Sequence, residues 1–200
     1  DYLYINKGDG TFSDEIKKRT GHNSQSSMGI DRADINNDGF EDFFIAEMLP
    51  SDYKRSKENM ASMDIESFWY FISQGHHYQY MHNVLQVDNH TGYFSDVSQM
   101  AGVSKTDWSW SPILEDLDND GKLDILVNDY IGGTHLNWMR NLGGGDFADL
   151  APITSLFGAG SGEFIDFDAD GDADLIEIMH TGTIGYYENL GGVEFTSLQY

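Results

Sequence analysis

An acidic stretch of nine residues occurs three times in the chain. It reads "DINNDGFED" from residue 34, "DLDNDGKLD" from residue 116 and "DFDADGDAD" from residue 166, and all three share the pattern D-x-[DN]-x-D-G-x-x-D. Carboxylates held this close repel one another unless a cation lies between them. Calcium accepts about six to eight oxygen ligands, and glycine at the sixth position allows the sharp turn around the ion. The stretches, named loops one, two and three in chain order, are therefore predicted to bind calcium.

The predicted ligands occupy the same positions in every loop, namely the side chains at positions 1, 3, 5 and 9 and the main-chain carbonyl at position 7. Loop one supplies Asp34, Asn36, Asp38 and Asp42 with the carbonyl of Phe40. Loop two supplies Asp116, Asp118, Asp120 and Asp124 with the carbonyl of Lys122. Loop three supplies Asp166, Asp168, Asp170 and Asp174 with the carbonyl of Asp172. Three calcium ions are expected, and magnesium is disfavoured because it resists dehydration and requires strict octahedral geometry.

An EF-hand is the alternative interpretation, since its loop begins with the same residues. That loop also requires a glutamate at position 12 and a helix on each side. Position 12 is Ile45 in the first copy and Val127 in the second, and only the third copy has an acid there, Glu177. The flanking residues are typical of strands, so the pattern favours loops between strands.

Two further features recur in step with the loops. A phenylalanine within phrases such as "GTFSDE" and "GYFSDV" is found at Phe12, Phe94, Phe147 and Phe195. Six residues before each of them lies a residue from the set Asn6, Asp88, Asn141 and Asn189. Three features in one constant order indicate a repeat array.

The first repeat is longer than the others. From loop to next phenylalanine it spans 60 residues, against 31 and 29 in the following repeats, which places an insertion at residues 51–80. Residues 56–73 lack Gly and Pro, and they carry Met60, Met63, Phe68, Trp69 and Ile72 at mostly helical spacing. The spacing predicts one helix over this segment, and its apolar face is expected to cover the propeller or a partner.

The repeats predict an all-β fold. Short aromatic and branched runs bounded by Gly, Asn and Asp precede and follow each loop, and two more runs complete each repeat. The last run, predicted to be the fourth strand, contains the recurring phenylalanine, as in "DFADL" around Phe147. Four strands in about 50 residues are typical of one blade of a β-propeller. The expected organisation is a single propeller segment over 1–200: a half-blade at 1–15, then blades at 27–97, 108–150 and 160–198. This amounts to about three and a half four-stranded blades with one inserted helix.

Composition narrows the possible partners. The chain has 34 acidic and 11 basic residues and a formal net charge of −23, which argues against nucleic acid as a partner. Cysteine is absent, so disulfides and thiolate metal sites are excluded, and no apolar run is long enough for a transmembrane helix. Because the sequence begins with Asp1 and shows no signal peptide, we expect a processed product or a segment of a longer protein.

The loops within four-stranded repeats resemble the FG-GAP and VCBS repeats of integrin-α-like propellers, and "LFGAG" at 156–160 is similar to the motif behind the first name. The stretches "LYINKGDGTF", "DINNDGFEDFFIAEMLPSDYKR", "HHYQYMHNVLQ" and "TDWSWSPILEDLDNDGKLDILVND" most resemble bacterial propeller proteins similar to cartilage acidic protein, which often carry an ASPIC/UnbV domain. This sequence lacks that domain and has fewer repeats than a closed ring. The resemblance implies a secreted or cell-surface protein with calcium in its blade loops, serving adhesion or assembly.

The primary hypothesis is a non-catalytic, calcium-binding extracellular module that binds a protein or carbohydrate surface ligand. The alternative is a structural subunit of an extracellular fibre, in which further copies of the chain pair through open blade edges. An enzyme on the same scaffold is a third possibility, although no nucleophile elbow, phosphate loop or acid–base pair is recognisable. "GHHY" at 75–78 is interpreted as surface or packing histidines, and "WSW" at 108–110 as a core-facing strand.

Overall fold

Strands form most of the regular secondary structure. The computed structural model of the chain describes residues 1–59, 64–129, 135–157, 161–178, 182–196 and 199. Its strands are β1 (Tyr4–Asn6), β2 (Phe12–Asp14), β3 (Asn23–Ser24), β4 (Gly29–Ala33), β5 (Asp42–Ala46), β6 (Met48–Leu49), β7 (Gln79–Tyr80), β8 (Val84–Asp88), β9 (Phe94–Asp96), β10 (Asp107–Glu115), β11 (Asp124–Asp129), β12 (His135–Met139), β13 (Asn141–Gly143), β14 (Asp146–Phe147), β15 (Ala151–Phe157), β16 (Ser161–Ile165), β17 (Asp174–Ile178) and β18 (Ile184–Tyr187). Three helices join them: α1 (Ile16–Arg19), α2 (Tyr53–Asn59) and α3 (Ile65–Ser73). The all-β prediction is confirmed.

The first sheet is a four-stranded antiparallel unit in the order β4-β5-β8-β9. Loop one connects β4 to β5, and the insertion separates β5 from β8. Phe44 on β5 pairs with Leu85 on β8, and both side chains are fully buried. The long insertion therefore leaves the pairing of the strands on either side of it intact.

The second sheet has five strands in the order β15-β12-β11-β10-β6. The sequence predicted that residues around Phe147 would form its fourth strand, and this is wrong. Among the described strands Asp146–Phe147 pairs only with Asn141–Gly143, across a turn of glycines with positive φ, and β15 takes the place beside β12. The physical reason is burial, since Ile153 and Leu156 of β15 enter the core.

Smaller sheets complete the described structure. The third repeat forms the sheet β16-β17-β18, and isolated bridges link Tyr186 to Gln199 and Asn189 to Phe195. Strands β1 and β2 form a sheet of their own and pair with no other strand among the described residues. Since the sheets do not close into a ring, the number of blades stays a prediction.

Two buried clusters lie on opposite faces of the second sheet. Ile125 and Val127 of β11 join the cluster shared with the first sheet, which includes Phe44. Leu126, between them, joins the cluster shared with the third sheet, which includes Leu175. Successive side chains of a strand point to opposite faces. Strand β11 therefore packs against the first sheet with one face and against the third sheet with the other, and it links the three sheets.

The first strands of neighbouring repeats approach each other closely. The amide of Leu114 on β10 donates to Asp31 Oδ2 on β4 at 2.8 Å. A Cβ on Gly29 would lie 2.7 Å from Pro112 Cδ and 2.9 Å from the backbone nitrogen of Ser111. Contacts this short with backbone leave no room for a side chain at residue 29.

Replacement of Gly29 by alanine is therefore expected to lower the free energy of unfolding by about 1–3 kcal/mol through overpacking. Urea unfolding monitored by tryptophan fluorescence measures this loss. Gly21→Ala is the matched control, because its Cβ would meet only the Tyr93 hydroxyl, at 3.3 Å. Equal stability of the two variants would contradict the close approach.

The insertion contains two helices, so the prediction of one helix over 56–73 is wrong. Asp64 is extended, with φ −79° and ψ 123°, and its carboxylate accepts hydrogen bonds from the amides of Glu66 and Ser67. It therefore begins a second helix as an N-cap. Residues 60–63, with the predicted helix positions Met60 and Met63, lie outside the described residues.

Contacts of α2 and of β7 help to fasten the inserted segment to the rest of the chain. Arg55 on α2 donates two hydrogen bonds to the Asp107 carboxylate on β10, at 2.8 and 2.9 Å. Strand β7 pairs in parallel with β3, which precedes the first sheet in sequence. No helix of the described residues has the length and apolar character needed to cross a membrane.

The prediction that "WSW" faces the core is wrong. In this part of β10 Asp107 and Ser109 are buried, whereas Trp108 is half-buried and Trp110 is 43% exposed. Thr106 explains the difference, because the Ser109 hydroxyl donates to its carbonyl and contacts its hydroxyl, which turns this face of β10 inwards.

Candidate functional site

Each acidic loop makes two left-handed turns. The residue at position 4 has a φ between 57° and 64° in all three loops, and the glycine at position 6 has a φ between 83° and 100°. The position-4 residues are Asn37, Asn119 and Ala169, and the glycines are Gly39, Gly121 and Gly171. This backbone turns the odd-numbered side chains inwards, so that the carboxylate at position 5 accepts the amide of position 7 in every loop.

The aspartate at position 9 has the same surroundings in all three loops. Asp42, Asp124 and Asp174 are fully buried. In each case one carboxylate oxygen accepts the amide of loop position 2, and the other accepts the amide of the recurring residue Asp88, Asn141 or Asn189. Burial raises the pKa of Asp42, and it raises the pKa of Asp124 to about 7. These aspartates, predicted as ligands, therefore fasten each loop to its sheet.

A histidine contacts loop one at Asp38. His90 Nε2 lies 2.9 Å from Asp38 Oδ2, and the imidazole stacks on the exposed Phe40 ring at 4.2 Å. This hydrogen bond is the main reason that the pKa of Asp38 is lowered. Both oxygens of Asp34 accept amides within the loop, from Asp38 and Gly39.

Two basic side chains offset part of the negative charge of loop two. Arg140 Nε lies 2.5 Å from Asp118 Oδ2, and its Nη2 donates to Asp120 Oδ2 at 3.0 Å. Lys122 Nζ donates to the same oxygen of Asp120 at 2.7 Å, which is the main cause of that carboxyl's lowered pKa. A calcium ion in this loop would compete with both cations for oxygen ligands.

Loop three has no cationic partner among the described residues. Its five carboxylates are Asp166, Asp168, Asp170, Asp172 and Asp174. Burial, with a hydrogen bond to Asp170 and the neighbouring negative charges, raises the pKa of Asp172 to about 6. Asp172 Oδ1 is buried and lacks a hydrogen-bond partner in the described structure.

The carboxylates converge in two of the loops. One oxygen from each of Asp116, Asp118 and Asp120 in loop two, and of Asp166, Asp168 and Asp174 in loop three, lies within 4.8 Å of the others. No such carboxylate triple forms in loop one among the described residues. Dense hard oxygen donors fit calcium, and each of these two loops holds one buried carboxylate oxygen without a described hydrogen-bond partner, Asp118 Oδ1 and Asp172 Oδ1.

The recurring asparagines join consecutive repeats. Asn141 Nδ2 donates to the carbonyls of Ile35 in loop one and Leu123 in loop two, at 3.1 and 2.9 Å. Asn189 Nδ2 donates in the same way to Leu117 in loop two and Ala173 in loop three, at 3.2 and 3.3 Å. The side chain of each asparagine therefore fixes the distance between neighbouring acidic loops.

A groove lies between α3 and β7. Its volume is about 560 Å³. Apolar walls come from Phe68, Phe71, Ile72 and Tyr80, and polar groups come from Gln25 and Gln79. No residue of α3 is buried, and on its outer side Trp69 and Tyr70 are 57% and 61% exposed. An aromatic helix that covers no core is typical of a binding surface.

The insertion was expected to cover the propeller or a partner, and this groove on it was not predicted from the sequence. The signal that could have found it is the density of aromatics in "ESFWYF" on an inserted helix. The histidines of "GHHY" behave as predicted, since His76 is exposed and His77 lies 3.2 Å from the Thr20 hydroxyl and carbonyl oxygens. The loop aspartates were identified from their spacing in the sequence. The contact of Arg140 with loop two was not predicted.

The comparison with known proteins supports the repeats that the sequence predicted. The family model of the FG-GAP-like repeat matches residues 1–45 and 71–127, and the unmatched residues 46–70 contain α2 and most of α3. No curated protein matches the chain. Among solved structures, a lectin from Agrocybe aegerita, described for its specific recognition of non-reducing terminal N-acetylglucosamine, is similar with a TM-score of 0.54 and 19% identity.

That alignment covers 99% of this chain and 46% of the lectin chain, so the present chain spans less than half the length of its structural relative. At this identity the similarity concerns the fold. The family match is stronger evidence of relationship, because the family model matches the sequence over just over half of the residues, including loops one and two. The chain therefore belongs to the FG-GAP-like repeat family.

Proposed function

We propose that this chain is a non-catalytic, calcium-stabilised extracellular module that binds carbohydrate through the groove between α3 and β7. The observation that carries the proposal is the exposed aromatic surface of α3, none of whose residues is buried. The calcium ions would lie in the three acidic loops and hold the sheets that support the insertion. The finer relationship to bacterial cartilage-acidic-protein-like propellers, and a bacterial cell-surface location, belong to the same proposal.

The lining of the groove suits a sugar ring. Aromatic faces such as that of Phe71 can pack against the C–H face of a pyranose, while the amides of Gln25 and Gln79 can donate to and accept from hydroxyl groups. A concave site with apolar walls and a few polar groups is the usual form of a small-ligand site. The recognition of terminal N-acetylglucosamine by the structurally similar lectin supports carbohydrate as the ligand class.

A glycan array probed in calcium-containing buffer, followed by calorimetry with the best ligand, tests the proposal. Phe71→Ala and Phe68→Ala are each expected to weaken binding by about tenfold or more, because both side chains line the groove and aromatic contacts dominate such sites. Tyr53→Ala on α2 is the matched control, since it removes an aromatic side chain that is exposed outside the groove. Absence of glycan binding, or equal binding by all variants, would exclude this function.

The second candidate is a structural subunit assembled through sheet edges. It is favoured by the sheet β1-β2, which pairs with no other described strand and exposes Tyr2, Tyr4 and Phe12. An open edge is a template for pairing with another chain. Sedimentation velocity over a range of concentrations separates the candidates: a particle that stays monomeric would exclude the fibre, and growth that Tyr4→Lys abolishes would support it.

A further inference from the structure

We propose a second kind of metal site, built for a first-row divalent transition metal such as zinc, from His22, His82 and Asp96. The three residues come from separate segments: the chain before β3, the connection from β7 to β8, and the end of β9. One ligand atom from each lies within 4.8 Å of the other two. The site lies outside the three acidic loops, and its nitrogen donors suit a softer ion than calcium.

The distances fit a small tetrahedral ion. Asp96 Oδ2 lies 2.9 Å from His22 Nε2 and 4.0 Å from His82 Nε2. Ligand atoms around tetrahedral zinc are separated by about 3.4 Å when each is about 2.0–2.1 Å from the metal. Both measured distances lie within about 0.6 Å of that separation, so rotations of the side chains bring all three atoms into range.

Hydrogen bonds already orient two of the three proposed metal ligands, His82 and Asp96. His82 Nδ1 lies 2.6 Å from the carbonyl oxygen of Asn83. A carbonyl only accepts, so Nδ1 carries the proton and the lone pair of the neutral ring is on Nε2, facing Asp96. The amide of Ser98 occupies Asp96 Oδ1 at 2.9 Å, which leaves Oδ2 directed at the histidines. Outer hydrogen bonds of this kind orient metal ligands in proteins.

An unpaired hydrogen-bond acceptor, Gln86 Oε1, belongs to the residue that faces Asp96 across the ladder. Gln86 is directly opposite Asp96 in the β8–β9 ladder, so both side chains project from the same face. Its Nε2 donates to the His22 carbonyl at 3.2 Å, while its Oε1 is buried without a hydrogen-bond partner in the described structure. Gln86 is 1% exposed, and an orphaned buried acceptor is expensive unless a ligand or a metal-bound water satisfies it.

The surroundings limit access without closing the site. The side chains of His22, His82 and Asp96 are 21%, 14% and 10% exposed. The Tyr80 ring packs edge-on against His22 at 5.1 Å and stacks on His82 at 6.3 Å. A bound ion would join the end of the insertion to the first sheet and hold Tyr80, which lines the groove, in place.

Calorimetric titration with zinc chloride in calcium-saturated buffer tests the site, because calcium then occupies the acidic loops. One zinc ion per chain is expected to bind with a micromolar or lower dissociation constant. His82→Ala and Asp96→Asn should each weaken it by about 100-fold or more. His76→Ala is the matched control, since it removes an exposed histidine of the same insertion and should leave the affinity unchanged.

Cobalt replacement supplies a readout that does not depend on stability. The wild-type chain should show the intense visible absorption of a four-coordinate cobalt site, and His82→Ala should lose it while retaining its circular dichroism and its calcium binding. Absence of a saturable zinc site in the wild-type chain would overturn the proposal. Zinc binding that survives both His82→Ala and Asp96→Asn would also overturn it.

Discussion

Calcium added to the metal-free protein is expected to fill loop three first and loop two last. Loop three presents five carboxylates with no cationic partner among the described residues, whereas Arg140 and Lys122 already pair with two of the four carboxylates of loop two. Each bound ion adds about 2.7 kcal/mol to the free energy of unfolding when free calcium exceeds the dissociation constant a hundredfold. Chelation should therefore lower the melting temperature far more than a change in ionic strength does.

Variants assign each ion to its loop. Asp170→Ala should remove the tightest site, and Asp38→Ala and Asp120→Ala should each remove one of the others. Arg140→Gln should strengthen loop two by about tenfold, because it removes a competing charge from the ligand oxygens. Asp149→Ala, an exposed acid outside the loops, is the control for net charge. Calorimetry or anomalous scattering that finds no calcium in any loop would refute the site assignment.

Loss of the Asn189 side chain is expected to cost about 2–4 kcal/mol of unfolding free energy. The residue is fully buried, and its carboxamide donates to the Leu117 and Ala173 carbonyls while accepting the Gly191 amide at 3.1 Å. Alanine at 189 would leave these groups unsatisfied between loops two and three. For a chain of this size the melting temperature should fall by about 4–16 °C.

Asn6→Ala is the matched control for that measurement. Asn6 holds the same position in the repeat, but it is exposed, and its side chain accepts only the local Gly8 amide, at 2.8 Å, among the described contacts. Its replacement should change stability by less than about 1 kcal/mol. Similar losses for both variants would show that the local turn, and not the link between repeats, gives Asn189 its effect.

Much of the local structure follows from sequence spacing alone. The nine-residue acidic pattern predicted three loops between strands, because glycine at position 6 and alternating oxygen donors act within a few residues of each other. The recurring asparagines predicted a repeat array, and the family match bears this out. These features could be predicted because each depends on residues that are close together in the sequence.

Tertiary structure decided the features that join distant residues. Arg140 reaches loop two from about 20 positions away, and β15 displaces the predicted fourth strand because its apolar residues gain burial there. The insertion divides at Asp64 because a capping carboxylate satisfies amides that a continuous helix would satisfy internally. His22, His82 and Asp96 meet only when two ladders and a connection are assembled, and no spacing in one dimension encodes that meeting.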